Sequence, residues 1–500
     1  MIKILLIDCS RALDIGLRDT YDVHHPPVGL LALATKVNKS DIGKHTDIKI
    51  IDSTVDYTSL DELEQLINNA SPDIVGLRCL HKHTEQFHQV SAVAKKFSKN
   101  TLVIGGGPYP SAEPEKTLRR DDHLDIVVVG EGEEVFYDLI AAYYNKKPLA
   151  DVPGIYHREN GGIKQSETRD VIQDLDSIPI PDWTLVNFDR YENLMGQAPV
   201  FRKMAPILTT RGCPYACTYC HELFQKRFRV RSPQHIVEEL EILSDLGVYD
   251  ISVIDDIFNL YPERVIEIFN LIIQKNLKLR FYYPNGLRGD RMTHEAIDSM
   301  VEGGSILFTY ALESGSRRIQ KLVKKELRFD PFYDAVDYTI KKGVMVDMFL
   351  MVGFPTETEE EALKTLDFLS QWDEICFPYL NVLNAFPGTE IYDKMIVEGS
   401  SEKEIKEAFA NGYSSGGQEI IELVKFDFLK NYFLRRDRLQ KAITIQRKFL
   451  REDELLYKYK TYLPGNMDRF QTLDELVKGI ALDTQKPKRV WTPDSEVVAV

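Results

Sequence analysis

The chain has 500 residues, 43% of them hydrophobic, which is ordinary for a soluble globular protein and too long for one compact core, so two or three domains are expected. Its 62 basic residues against 77 acidic ones leave a net charge of −15, which offers no electrostatic footprint for nucleic acid and favours a small-molecule substrate. No apolar run reaches the length of a membrane span, and Met1–Asp8 is too short and ends too polar for a signal peptide, so a cytoplasmic location is expected.

The first part of the chain alternates short apolar runs with helix-period segments. The runs 2–8, 48–52, 73–77, 101–105 and 124–130 read as buried parallel strands, and 29–37, 60–68 and 84–97 read as helices between them. That alternation predicts a doubly wound, Rossmann-like domain over 1–150, with its ligand at the carboxyl ends of the strands. Residues 151–200 then read as a linker, because Pro179 and Pro181 hold the stretch from Asp174 to Trp183 extended.

A second alternation runs over 201–400. Strands are expected at 206–210, 249–255, 278–283, 305–312, 345–352 and 375–384, with helices at 234–246, 263–275, 294–302, 331–342 and 359–371. Six such units predict a partial (β/α)6 barrel with its chemistry at the carboxyl ends of the strands. Residues 401–500 read as a helical C-terminal region, in particular 402–408 and 426–460. Its arginines, Arg435, Arg436, Arg438, Arg447 and Arg451, read as a solvated helix face.

Six cysteines are sparse for this length, and three of them, Cys213, Cys217 and Cys220, fall within eight positions, while Cys9, Cys79 and Cys376 are scattered. This distribution argues against a disulfide framework and for a local metal or redox site. Thiolates spaced four and three apart on a loop can converge on one centre, and they are the usual ligands of iron-sulfur clusters. Three ligands leave one iron of a cubane open. A zinc site completed by His221 or a remote residue, and three unrelated buried cysteines, are the alternatives. Zinc sites usually add a second ligand pair downstream, which this chain does not offer.

The segment Thr210-Arg-Gly-Cys213-Pro-Tyr-Ala-Cys217-Thr-Tyr-Cys220 resembles the C-x3-C-x-aromatic-C signature of radical S-adenosylmethionine (SAM) enzymes. Ile254–Asn259, Ala311–Ser316, Met351–Thr358 and Ala385–Thr389 resemble the successive strand-end motifs of that family, in the same order. The resemblance implies a 4Fe-4S cluster on Cys213, Cys217 and Cys220, with Tyr219, Asp255, Asp256, Glu313 and Ser314 around SAM. Taken alone, an Asp pair before a helix also reads as an N-cap, and Ser-Gly-Ser as a turn.

Pro26–Ala34, Val103–Ser111, Val129–Glu133 and Leu175–Trp183 resemble the cobalamin-binding domain that precedes the barrel in B12-dependent radical SAM enzymes. That likeness implies cobalamin contacts at Val28, Gly29, Gly105, Gly106, Gly107, Glu131 and Gly132. Glycines after a strand also let a backbone approach a bulky ligand closely. The Asp-x-His-x-x-Gly signature of a cobalt-ligating histidine is not intact, since Asp22-Val-His24-His-Pro-Pro27 has proline where glycine belongs. His24 is therefore not expected to bind cobalt, and no lower axial ligand is assigned. Arg78, Cys79, His81 and His83 occupy the loop after the third strand, where a corrin would lie.

The resemblance implies a flavodoxin or ferredoxin as electron donor, cleavage of SAM to a 5′-deoxyadenosyl radical, and methyl transfer to carbon of a natural-product or lipid intermediate. A cyclase, ring-contraction or dehydration enzyme of the same architecture is the rival within the enzyme class. A non-catalytic iron-sulfur or cobalamin sensor is the rival from outside it.

Overall fold

The computed structural model describes residues 1–10, 25–192, 200–221, 223–397, 399–405, 417–463, 465–486 and 491. His24 lies outside them, as do residues 406–408 of the expected helix 402–408. The described chain divides into two compact units, one drawn from 1–197, 202–212 and 222–248 and the other from 198–201, 213–221 and 249–500. No helix among the described residues is long and apolar enough to cross a membrane.

The first unit is built on β1 (Ile2–Asp8), β2 (Thr46–Asp52), β3 (Ile74–Arg78), β4 (Leu102–Gly106), β5 (Ile126–Val128), β6 (Ile155–Glu159) and β7 (Gly162–Gln165). They form one sheet in the order β2-β1-β3-β4-β5-β6-β7, parallel as far as β5 and antiparallel beyond it. Both faces are covered, as the unbroken apolar runs require. Leu5 and Ile7 pack with Leu63 and Phe87 from helices 60–70 and 84–97, while Ile4 and Leu6 pack with Leu30 and Phe136 from helices 28–38 and 132–144. The order 2-1-3-4-5 places the topological switch point between β1 and β3, so a ligand crevice is expected beyond Asp8 and Arg78.

The span read as a linker is not a free tether. Its first part forms the β6–β7 hairpin, whose second strand is polar and largely exposed and so carries little hydrophobic signal. Farther on, Trp183 is buried and its indole N–H donates to Glu239 at 2.9 Å, and the Tyr191 hydroxyl donates to Asp52 at 2.6 Å. The strand expected at 206–210 is split into β8 (Met204–Ile207) and the short β9 (Thr210–Arg211), which pairs antiparallel with β10 (Arg229–Val230).

The second unit carries β11 (Asp250–Val253), β12 (Arg280–Tyr282), β13 (Ser305–Glu313), β14 (Met345–Val352) and β15 (Phe377–Val382), hydrogen-bonded in that order and all parallel. Helices 262–274, 294–302, 329–341 and 359–369 alternate with the strands. Helix 359–369 starts from a complete capping box, Thr358 with Glu361. The C-terminal helices are 417–428, 436–446, 452–462 and 473–480. Their arginines do not share one solvated face. Arg435 and Arg438 are 1% and 0% exposed. Arg438 donates to the carbonyls of Ile375 and Cys376 and lies against the Tyr432 and Phe433 rings, so unpaired backbone acceptors and aromatic faces draw it inward.

Candidate active site

The cysteine loop begins at Gly212, where φ is +79° and an added Cβ would stand 2.4 Å from the Arg227 carbonyl oxygen, so only glycine fits. Beyond it Cys213 and Cys217 are half-buried and Cys220 is exposed. None of the six cysteines is in a disulfide, and the other three, Cys9, Cys79 and Cys376, are fully buried. Burial pushes the Cys9 and Cys79 thiols far up and that of Cys376 up to about 12, which leaves them inert as ligands. Within the loop the Cys220 N–H donates to the Cys217 carbonyl at 3.1 Å. Thr218 donates its N–H to Val323 at 3.1 Å and accepts from Ile391 at 2.9 Å.

Tyr219 turns its ring into an apolar cluster with Phe354, Ile319 and Ile391. Its hydroxyl donates to the Cys217 side chain. Burial, the Glu313 charge and Cys217 together hold that hydroxyl far above the usual phenol range. Among the described residues no three His, Cys, Asp or Glu side chains are arranged around a single-ion position. A cubane asks for a different geometry, because each thiolate binds its own iron. Three accessible soft donors on one short loop fit that requirement in their chemistry.

The other strand ends of this unit are crowded with charge. Glu313 closes β13 at a register shift between Ala311 and Glu313, in the left-handed region at φ +65°. Bulges re-aim side chains, and here the Glu313 carboxylate meets the Lys325 ammonium at 3.0 Å, both side chains near 10% exposed. Ser314 is fully buried; its hydroxyl accepts from the Ser316 N–H and its carbonyl from Gln320, so its polar groups shape the turn. Asp255 is buried and Asp256 half-buried in the turn after β11, where Asn285 donates to the carbonyls of Ile254 and Asp255. Glu357 caps the turn after β14 through the Gly353 and Phe354 N–H groups, and burial raises its carboxyl to about 7.

Sequence reasoning did not single out Tyr215, Arg288, Arg291 or Lys325. The Arg288 guanidinium lies 3.6 Å from the centre of the Tyr215 ring, and Arg291 donates to the Tyr215 hydroxyl at 2.8 Å. Arg288 and Arg291 follow β12, and a run of polar residues after a strand was the available signal.

In the first unit the structure gathers the implied cofactor residues at the carboxyl ends of the strands. Gly105 and Gly106 end β4, and Gly107, at φ +92°, follows it. A Cβ at Gly105 would press on Phe87 at 2.9 Å, whereas Gly29 and Gly130 face open space with nothing within 4 Å. Gly132 starts helix 132–144, and Val28, half-buried, starts helix 28–38. Gly29 and Gly130 thus leave open space that a bulky ligand can use, whereas Gly105 is packed against the core.

Glu131 has a different role. Its carboxylate accepts from Arg229 at 2.8 Å, Arg211 at 2.9 Å and the Ile172 N–H at 2.7 Å. Neighbouring Glu133 pairs with Arg211 at 2.5 Å. Burial alone would raise the Glu133 carboxyl, but the Arg211 charge and hydrogen bonds more than offset it and hold it below the usual range. At the switch point Arg78 pairs with buried Asp8 at 2.7 Å. Asp52, beside Asp8, is raised to about 7 by burial and by that second negative charge. His83 is buried, and burial lowers His25 to about 4.

Comparison with known proteins bears on both units. The model of the radical SAM superfamily matches residues 207–369, and that of the B12 binding domain matches residues 16–140. An uncharacterised methyltransferase of Pyrococcus horikoshii is 31% identical over 74% of this chain and 78% of its own length. An anaerobic magnesium-protoporphyrin IX monomethyl ester cyclase of Rubrivivax gelatinosus is 24% identical over 66% of this chain, which spans 60% of that relative. The fold resembles the radical SAM methyltransferase TsrM of Kitasatospora setae, solved with cobalamin and a [4Fe-4S] cluster, at a TM-score of 0.65 and 17% identity, over 80% of this chain and 75% of that one.

Proposed function

The chain belongs to the radical SAM enzymes that carry a B12-binding domain, and on that premise we propose that it is a cobalamin-dependent methyltransferase acting at carbon of a small molecule. The observation that carries this reading is the contrast among its thiols: Cys213, Cys217 and Cys220 are accessible on one pinned loop, and the other three are buried. When bound, the cluster supplies the electron that splits SAM into methionine and a 5′-deoxyadenosyl radical, and cobalamin supplies a methyl carrier.

In this reading Cys213, Cys217 and Cys220 hold the cluster. Glu313 and Lys325 set a carboxylate and an ammonium side by side, as recognition of the amino and carboxylate groups of an amino acid demands. The bulge at Glu313 fixes their direction. The Tyr219 ring closes the apolar side of the loop and its hydroxyl steadies the Cys217 sulfur. Gly29, Gly106 and Gly130 leave room for the corrin at the sheet end. A flavodoxin or ferredoxin serves as the electron donor.

Likeness to the cyclase favours a second reading, in which the substrate radical rearranges without gaining a methyl group. The two are separated by loading the protein anaerobically with iron, sulfide and hydroxocobalamin, adding SAM and dithionite, and quantifying both nucleoside products. Methyl transfer predicts S-adenosylhomocysteine in step with bound corrin, alongside 5′-deoxyadenosine. Production of 5′-deoxyadenosine alone, with corrin bound, contradicts it.

A further inference from the structure

The first half of the cysteine loop carries a side chain that is held from two directions. Tyr215 lies midway between Cys213 and Cys217, with the Arg288 guanidinium 3.6 Å above its ring centre and the Arg291 Nε donating to its hydroxyl at 2.8 Å. Arg288 is itself immobilised. It is 8% exposed; its Nε donates to Asp290 at 2.8 Å and its terminal nitrogen to the Lys325 carbonyl at 2.7 Å. Its backbone exchanges hydrogen bonds with the Asn259 side chain, at 2.8 Å from Asn259 to the Arg288 carbonyl and 3.1 Å in return. The turn after β11 therefore fixes the turn after β12, and that turn grips the loop. A ring gripped on its face and at its tip cannot swing, so the backbone between the two cysteines is held with it.

We propose that Arg288 and Arg291 are positioning residues that clamp Tyr215 and so fix the arch from Cys213 to Cys217 for retention of the cluster and for its reduction potential. The proposal rests on the reading of the three cysteines as cluster ligands. Loop order acts on retention, because each thiolate must stay aimed at its own iron. Charge acts on potential, because a cation near the cluster favours the reduced form. Asp290 offsets part of the Arg288 charge and is shared with Arg328 at 3.6 Å, while Lys325 is balanced by Glu313, which leaves the clamp net positive. A cation over an aromatic face in a partly desolvated site is worth enough to matter at this scale.

The test compares the full-length protein with Arg288→Met, Arg288→Lys, Tyr215→Leu and Tyr215→Phe, each reconstituted anaerobically with iron and sulfide. Three quantities are read: iron and sulfide per chain, the rate of iron loss to a chelator, and the reduced-to-oxidised ratio by electron paramagnetic resonance at a fixed poise. Arg288→Met and Tyr215→Leu are expected to lose iron about tenfold faster than the parent, which corresponds to about 1.4 kcal/mol. Arg288→Met is also expected to lower the reduced-to-oxidised ratio about tenfold, equivalent to about 59 mV for one electron. Arg288→Lys keeps a cation over the ring and is expected to recover most of both losses. Tyr215→Phe keeps the ring under Arg288 and forfeits the Arg291 bond, so its loss should be smaller than that of Tyr215→Leu.

Parent-like retention and ratio in Arg288→Met overturn the clamp. Parent-like retention in Tyr215→Leu does so as well, even if Arg288→Met fails to fold, because Tyr215 is half-buried on the loop and outside the core. A parent that binds no iron-sulfur cluster overturns the cluster reading and the clamp with it, and that outcome is distinct from a parent and variants that retain it equally.

Discussion

Arg211 and Arg229 flank the cysteine loop in sequence, Arg288 and Arg291 follow it after β12, and the two pairs are held in opposite ways. In the first unit Arg211 and Arg229 are locked by Glu131 and Glu133, all four under 10% exposed and balanced in charge. In the second, Arg288 and Arg291 close on an aromatic ring that belongs to the loop itself. Saturated buried ion pairs have nothing left to offer a ligand, so the Gly-Glu-Gly-Glu motif braces β9 and β10 as well as bounding a cradle. The grip on Tyr215 adds specificity of position through one ring face and one hydrogen bond. A motif that resembles a cofactor-binding sequence can thus divide its labour, with Gly130 leaving open space, Gly132 letting helix 132–144 start against Leu33, and Glu131 and Glu133 making structure.

The sharpest way to break this contrast is Arg211→Met. Removing one partner of a buried ionic network strands the others, and a loss of about 3–5 kcal/mol is expected in urea unfolding. A change near zero would show that the network is not a brace. Next, Gly212→Ala forces a side chain into a left-handed position against the Arg227 carbonyl, at about 1–3 kcal/mol of backbone strain. The expected signature is lower iron per chain after reconstitution together with a lower melting temperature.

Asp52 sharpens the comparison through pH. Its folded value, about 7, lies above the ordinary 3.8, so its contribution to stability is fully present below about pH 4 and is lost as pH rises through about 7. Asp52→Asn should flatten that decline, which can be as steep as about 1.4 kcal/mol per pH unit, in urea titrations at pH 4 to 8. Equal slopes in parent and variant would contradict the assignment. The smallest effect expected is that of Tyr219→Phe, which removes one hydroxyl bond to Cys217, worth about 0.5–1.5 kcal/mol, and should speed iron loss to a chelator only slightly.

Much of this architecture was legible in the sequence because burial on both faces leaves unbroken apolar runs. Ile2–Asp8, Met345–Val352 and the runs between helices announce parallel strands, and the spacing of Cys213, Cys217 and Cys220 announces a single loop that carries three thiols. What stayed hidden depends on partners far along the chain. The second strand of the β6–β7 hairpin is polar, and the mark of the hairpin is its Asn160-Gly161 turn, both residues at positive φ, and not an apolar run. Arg435 and Arg438 lie at the start of a helix whose composition reads as solvated, and the burial of Arg438 is explained by the carbonyls of residues 375 and 376 with the rings of Tyr432 and Phe433. Glu131 reads as part of a cofactor motif until Arg211 and Arg229 are seen on it. Arg288 is one polar residue among several after β12, and its relation to Tyr215 exists only in three dimensions.

The most direct measurement of the central claim, that the accessible loop thiols and not the buried ones carry the chemistry, compares Cys217→Ala with Cys376→Ala after anaerobic reconstitution. Iron, sulfide and 5′-deoxyadenosine formed from SAM under dithionite are quantified in each and in the parent. The account predicts about four iron atoms per chain in the parent and in Cys376→Ala, with SAM cleaved by both, and background cleavage in Cys217→Ala. Cleavage that survives in Cys217→Ala, or zinc in place of iron in the parent, would contradict it.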